Sequence, residues 1–265
     1  MAIQKRLNVP DWLLSHGRTS ASTSDIAGIL EISEDRVRAR LRNSVKRNQM
    51  FSPARGLWVP IPPEYRNWGA TPALEFLDSM MTYLERDYYV GWLSAAEILG
   101  ASHQRPQVTQ VAVSSQLSNL SIGRSQIRFR TRENIPELPR FKHRVASGYV
   151  WVSSPELTAL DLADATLMGG GLNNVATVLA ELSKENHLDV EKLTSIAINY
   201  STTAVSRLGY ILQVLDSNVD LKGLKLLLKT RHKLRPSLLS PSDRRVGKVS
   251  QEWNLLINTS LEPDL

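Results

Sequence analysis

Six of the fourteen residues from Glu34 to Arg47 carry a positive side chain: Arg36, Arg38, Arg40, Arg42, Lys46 and Arg47. Asn43 stands among them. Lysine and arginine neutralise phosphates. Arginine also grips a guanine edge with two bonds, and asparagine does the same for adenine. A run of this kind points to duplex DNA as a partner. Glu34 and Asp35 open the run, and two roles stand for them: the positive end of a helix dipole, or acceptance from a cytosine amine.

Other chemistry is thinner. Glu156, Asp161 and Asp164 form the best carboxylate group. Asp161 and Asp164, three apart, share a helix face and could hold a divalent cation, although a helix cap and exposure account for all three. The five histidines, at 16, 103, 143, 187 and 232, include no pair at helical metal spacing. Gly169-Gly170-Gly171 lacks the Lys-Ser or Lys-Thr of a phosphate-binding loop and reads as a break between helices. No Gly-x-Ser-x-Gly elbow occurs. The chain has no cysteine, which removes disulfides, thiolate metal sites and thiol nucleophiles. No cofactor, metal or catalytic site is expected. The alternative is a metal-dependent DNA-processing enzyme, and it stands or falls on Asp161 and Asp164.

Composition sets the frame. The chain has 265 residues, 42% of them hydrophobic and 22% charged, enough apolar material for real cores. The net charge of +6 is uneven. Eleven cations against six carboxylates fall in residues 1–66, and the remaining 199 residues are nearly neutral. A basic module before a neutral body suggests a polyanion for the first part. The division expected is 1–66 and 67–265. Met1 to Pro10 has no apolar run of a secretory signal, and no stretch is apolar enough to span a bilayer, so a cytoplasmic protein with no membrane contact is expected.

The pattern of the first 66 residues is that of a winged helix-turn-helix. Pro10 to Leu14 reads as a short helix stopped at Gly17. Thr23 or Ser24 can cap a helix over about 25–30, and Ser33 can cap another running to about Asn48. The break between them, Glu31-Ile32-Ser33, has the helix-turn-helix length. Val37, Leu41 and Val45 form the core stripe of the second helix. Arg36, Ala39, Asn43 and Lys46 form its opposite face, where small Ala39 allows close approach to a groove. A hairpin then spans 50–59, turning around Pro53 and Gly56 with Arg55 at its tip, as a wing would. Pro60, Pro62 and Pro63 begin a stiff linker.

The body reads as α+β, a small sheet followed by a helical bundle. Helices are expected over 71–83 and 94–100. Strands are expected over 108–113 and 126–130, with a hairpin over 144–152. Arg124, Arg128, Arg130 and Arg132 should project from the outer face of the second strand, and an acidic partner on Arg128 and Arg130 is a third reading. Ser154-Pro155-Glu156 is a strong helix start. Leucine and valine spacing then marks helices near 175–182, 205–215 and 221–228, and 253–257 reads as a last strand.

Several short motifs fall in a telling order: Ser94-Ala95-Ala96 to Leu99-Gly100, Ser153 to Leu162, Arg207-Leu208-Gly209-Tyr210, and Trp253 to Asn258. With the wing Arg55 to Val59, they resemble the AbiEi family of antitoxins and transcriptional regulators. The resemblance implies an antitoxin of an abortive-infection pair. Its winged helix would bind inverted repeats in its own promoter and repress the operon, with a dimer on DNA as one form. Its larger domain would counter a nucleotidyltransferase toxin. Glu156, Asp161 and Arg207 fall in the family's stretches, either as structural residues or, for Arg207 with Arg128 and Arg130, at a partner surface. Gly209 would let two helices pack closely. Arg231, Lys233 and Arg235 match no family motif and leave open a second nucleic-acid contact.

Overall fold

The computed structural model describes residues 7–102, 105–184, 188–231 and 235–264. The chain forms a mixed α/β structure of two compact units. The first comprises residues 1–89, 107–136 and 142–151, and the second 90–106, 137–141 and 152–265.

The first unit begins with α1 (Val9–Ser15), the two-residue strand β1 (Ala21–Ser22), α2 (Thr23–Leu30) and α3 (Glu34–Lys46). The three residues between α2 and α3 are the expected Glu31, Ile32 and Ser33. The cap of α2 is Ser22 rather than Thr23 or Ser24. Its hydroxyl accepts from the Asp25 amide while the Asp25 carboxylate accepts from the Ser22 amide, a reciprocal capping box. Ser33 occupies the cap position of α3, but its side chain makes no capping bond. Strands β2 (Met50–Ala54) and β3 (Leu57–Pro60) form a hairpin, and β1 adds to β3 in an antiparallel sheet ordered β1-β3-β2.

The core of this part is Val9, Leu13, Ile26, Leu30, Val37, Leu41, Met50 and Trp58. Each fully buried leucine or isoleucine contributes roughly 2 kcal/mol. Val45 departs from the expected stripe: it is 40% exposed. On a 100° spiral it lies about 60° from the mean direction of Val37 and Leu41, toward the edge of the buried face. The proline segment is also no free linker. Pro60 ends β3, Ile61 is fully buried, and Pro63–Trp68 forms a 3₁₀ turn.

Then follow α4 (Ala73–Tyr83), which buries Phe76, Leu77, Met80 and Met81, and β4 (Tyr88–Val90). A six-stranded mixed sheet uses β4 together with β5 (Thr109–Val113), β6 (Leu120–Ile122), β7 (Ser125–Thr131), β8 (Arg140–Val145) and β9 (Gly148–Ser153). Its order is β6-β7-β5-β4-β9-β8, with β5 and β7 parallel. Strands β1, β4 and β6 are not expected from the sequence, nor are two more at Ser237–Leu238 and Lys248–Ser250, and each is only two or three residues long.

The second unit is mainly helical. It contains α5 (Trp92–Ile98), α6 (Pro155–Asp164), α7 (Leu172–Ser183), α8 (Val190–Ala197), α9 (Thr202–Val214) and α10 (Lys222–Thr230). A small sheet closes it: β10 (Ser237–Leu238), β11 (Lys248–Ser250) and β12 (Leu255–Ile257), ordered β10-β12-β11. Helix α6 is its axis. Every residue from Glu156 to Ala163 is buried, against α5, α7, α8 and α9.

Candidate nucleic-acid interface and family domain

Helix α3 carries its cations outward. Arg36, Arg38, Arg42, Lys46 and the following Arg47 are exposed, as are Ala39 and Asn43. Arg40 is placed differently. Its guanidinium is partly buried and donates to the Leu7 carbonyl at 2.8 Å, so it fastens α3 to the start of α1. This side of the helix was not distinguishable by residue type, because arginine serves clamps and phosphates equally well. Glu34 and Asp35 occupy the first turn of α3, where the helix dipole favours negative charge.

One flank of α3 borders an open groove of about 820 Å³. Arg38, Arg42 and Lys46 rim it beside Asp35, while Val45, Phe51 and Trp58 give it apolar walls. Exposed Val45 thus belongs to this groove and not to the core. Cations over an apolar recess suit a ligand with an anionic edge and a flat or methylated interior, which describes a nucleic-acid backbone and its bases.

The hairpin turn is Arg55-Gly56, directly beside the first residue of α2. The Gly56 carbonyl accepts from the Thr23 amide at 2.8 Å and from its hydroxyl at 3.2 Å, and the Thr23 hydroxyl in turn accepts from the Trp58 indole at 3.1 Å. Arg55 is exposed at this turn. Asp25, in the first turn of α2, has its carboxyl pKa lowered by its bonds from Ser22 and by nearby Arg18.

On β7, Arg128 and Arg130 alternate outward with buried Ser125 and Ile127, as the residue pattern predicts. Arg124 is likewise exposed, whereas Arg132 is half-buried.

Arg207 is a correction. It does not lie at a partner surface: it is 4% exposed. Its Nε donates to the Leu239 carbonyl at 2.8 Å, and its other nitrogens reach the carbonyls of Leu238 and Ala163. It ties the end of α6 to β10. Burial lowers its pKa, and the Asp164 charge opposes that shift. Arg231 has a similar role, donating to the carbonyls of Ala197, Ile198 and Tyr200 at the end of α8. Arg235 is exposed, and Lys233 lies outside the described residues.

Glu156 and Asp161 are buried as well, contrary to the exposure expected of them, whereas Asp164 is half-buried. Glu156 accepts from the Ser154 hydroxyl at 2.7 Å and the Asp189 amide at 3.0 Å, joining the starts of α6 and α8. Asp161 accepts from the Tyr200 hydroxyl at 2.5 Å, and Asp164 from the Ser201 hydroxyl at 3.3 Å. Among the described residues no group of three or more His, Asp or Glu could hold a metal ion. Gly169–Gly171 forms the break between α6 and α7. Among the described residues no helix is long and apolar enough to cross a membrane.

Gly209 does admit a close neighbour, but the neighbour is the indole of Trp253 and not a second helix. Two of the motifs that carry the family resemblance therefore meet in space.

Residues 89–214, from β4 through α9, match the family model of the AbiEi antitoxin C-terminal domain. The chain carries an AbiEi antitoxin domain over that stretch, which includes the Ser94, Ser153–Leu162 and Arg207–Tyr210 motifs. The matched stretch is just under half of the chain, and the family it matches is described as an antitoxin domain. The crystal structure of RV2827C protein from Mycobacterium tuberculosis is similar in fold, with a TM-score of 0.68 at 17% identity over 94% of this chain and 89% of that one. An antigenic nucleotidyltransferase-like protein from Paracoccidioides brasiliensis gives a TM-score of 0.32 at 9% identity, over 56% of this chain and 92% of that one, too slight a likeness to bear on fold. No curated protein sequence matches the chain.

Proposed function

We propose that the protein is a non-enzymatic AbiEi-type antitoxin that also represses its own operon. Residues 1–66 act as a winged helix-turn-helix, with α3 in the major groove of a promoter inverted repeat and the Arg55 turn as the wing. The domain that follows counters a cognate nucleotidyltransferase toxin. The observation that carries the DNA reading is the outward row of Arg38, Arg42 and Lys46 beside Ala39 and Asn43, on a helix whose opposite side is packed by Val37 and Leu41. The antitoxin reading rests on the family domain. An inverted repeat is read by two copies, with half-sites about 34–36 Å apart.

The test is fluorescence anisotropy on the DNA upstream of the gene, titrated with salt. Wild type should bind in the nanomolar range, and the affinity should fall steeply as salt rises. The triple change Arg38→Ala, Arg42→Ala and Lys46→Ala should flatten the log–log salt slope by about one unit for each phosphate no longer neutralised. An unchanged affinity and slope in the triple variant overturns the DNA reading. Co-expression with the neighbouring nucleotidyltransferase gene tests the other half: growth arrest that the antitoxin does not relieve overturns it.

A further inference from the structure

We propose that Tyr83 is a positioning residue for Arg55, holding the hairpin turn in one shape so that the guanidinium meets a duplex phosphate without first having to be ordered. The inference rests on the DNA reading above and deepens it at the turn.

A two-residue turn between strands ordinarily leaves its carbonyls to water. Here both are taken. The Gly56 carbonyl is held by Thr23, at the start of α2. The Arg55 carbonyl accepts from the Tyr83 hydroxyl at 3.1 Å. Tyr83 is the last residue of α4 and is 40% exposed, so its ring is not needed to fill a core. The turn is shaped to receive it. Gly56 has a φ of +89°, and a Cβ there would overlap the Tyr83 hydroxyl oxygen. No side chain fits at that position while the phenol is in place.

The two clamps pull on adjacent carbonyls from different elements, and between them they fix the peptide that carries the Arg55 side chain. That side chain is itself exposed. A cation on a fixed turn loses less freedom on binding than one on a loose loop, and the saved ordering cost appears as affinity. The phosphate, an anion with oxygens in several directions, suits a guanidinium whose base is fixed.

A double-mutant cycle decides it. Affinity for the upstream DNA is measured for wild type, Tyr83→Phe, Arg55→Ala and the double variant. Tyr83→Phe removes one hydroxyl and should weaken binding about three- to tenfold. If Tyr83 works through Arg55, the double variant binds as Arg55→Ala does, with no further loss. Hydrogen exchange at the Leu57 amide and its neighbours should quicken in Tyr83→Phe while α3 keeps its protection. Two outcomes overturn the proposal: wild-type affinity in Tyr83→Phe, or losses that add in full in the double variant. The α3 triple variant separates this from the wider reading. If it loses binding while Tyr83→Phe does not, only the positioning role fails. If it binds as wild type, the DNA reading itself fails.

Discussion

The six-membered ring of Trp253 lies against the backbone of α9 at Gly209, so close that a methyl group at the glycine would overlap the ring carbons. Trp253 is 1% exposed and donates its indole N–H to Gln213, one turn further along the same helix. Lys225, from α10, approaches the ring at 5.4 Å. The packing joins two stretches of sequence more than forty residues apart.

Replacing Gly209 with alanine should therefore destabilise the protein although alanine is the better helix former. The overpacking cost is about 1–3 kcal/mol or more, against roughly 1 kcal/mol of propensity gained. Thermal melting should show a net fall of several degrees. The same change made in a Trp253→Leu background should cost much less, because the ring that clashes is gone. Equal costs in the two backgrounds would refute this packing.

Arg207 holds three backbone carbonyls with one planar fork. Arg207→Met leaves those carbonyls without their donor and should cost on the order of 3 kcal/mol, read from denaturant unfolding. Arg207→Lys keeps the charge but not the fork, and should restore little. Full rescue by lysine would show that charge alone matters there.

Arg40 and Arg42 are two residues apart and should behave as different kinds of residue. Arg40→Ala loses the bond to Leu7 and should lower the melting temperature with little change in the salt slope of DNA binding. Arg42→Ala should do the reverse, lowering the slope by about one unit with stability nearly unchanged. Identical behaviour of the two would mean that the bond to Leu7 is not kept in solution.

Asp25 supplies a pH signature. Its carboxyl pKa is lowered in the folded protein, first by the Ser22 hydroxyl and amide and then by Arg18. A lowered folded pKa contributes stability that is present above the unfolded carboxylate's pKa and lost as the pH falls through the folded one. Wild type should thus exceed Asp25→Asn in stability near neutral pH, and the gap should close on acidification through the carboxylate range. A gap that persists at low pH would assign the difference to something other than ionisation.

Ala39 stands exposed between Asp35 and Asn43 on the outward side of α3. An alanine methyl in the major groove favours thymine, whose own methyl it touches. Substituting deoxyuridine for each thymine of the operator should reveal one position where wild type loses affinity a few-fold. Ala39→Gly should show no loss at that position.

Much of this was legible in the sequence because the physics was local. The three-residue break before Glu34, the Ser154-Pro155 helix start and the alternation along β7 each depend on neighbours a few residues away. The errors came where distant partners decide. Val45 fits the spacing of a core stripe, yet the spiral of α3 turns it into the groove. Ser22, not Thr23, caps α2, because Ser22 pairs with Asp25 while Thr23 is drawn to Gly56 across the sheet. Arg40, Arg207 and Arg231 look like surface cations by residue type. Only the arrival of Leu7, Leu238, Leu239 and the end of α8 shows them to be clamps. The short strands β1, β4 and β6 have too few residues to show any period at all.

Helix α6 has a last consequence. The Pro155–Leu162 stretch lies within the family match, and from Glu156 onward it has almost no accessible surface. An antibody raised to that peptide would find no epitope on the native molecule, and a protease would cut there only after the unit came apart. A partner of this unit would meet residues outside that stretch, so a sequence shared with the family there is poorly suited to encoding partner choice.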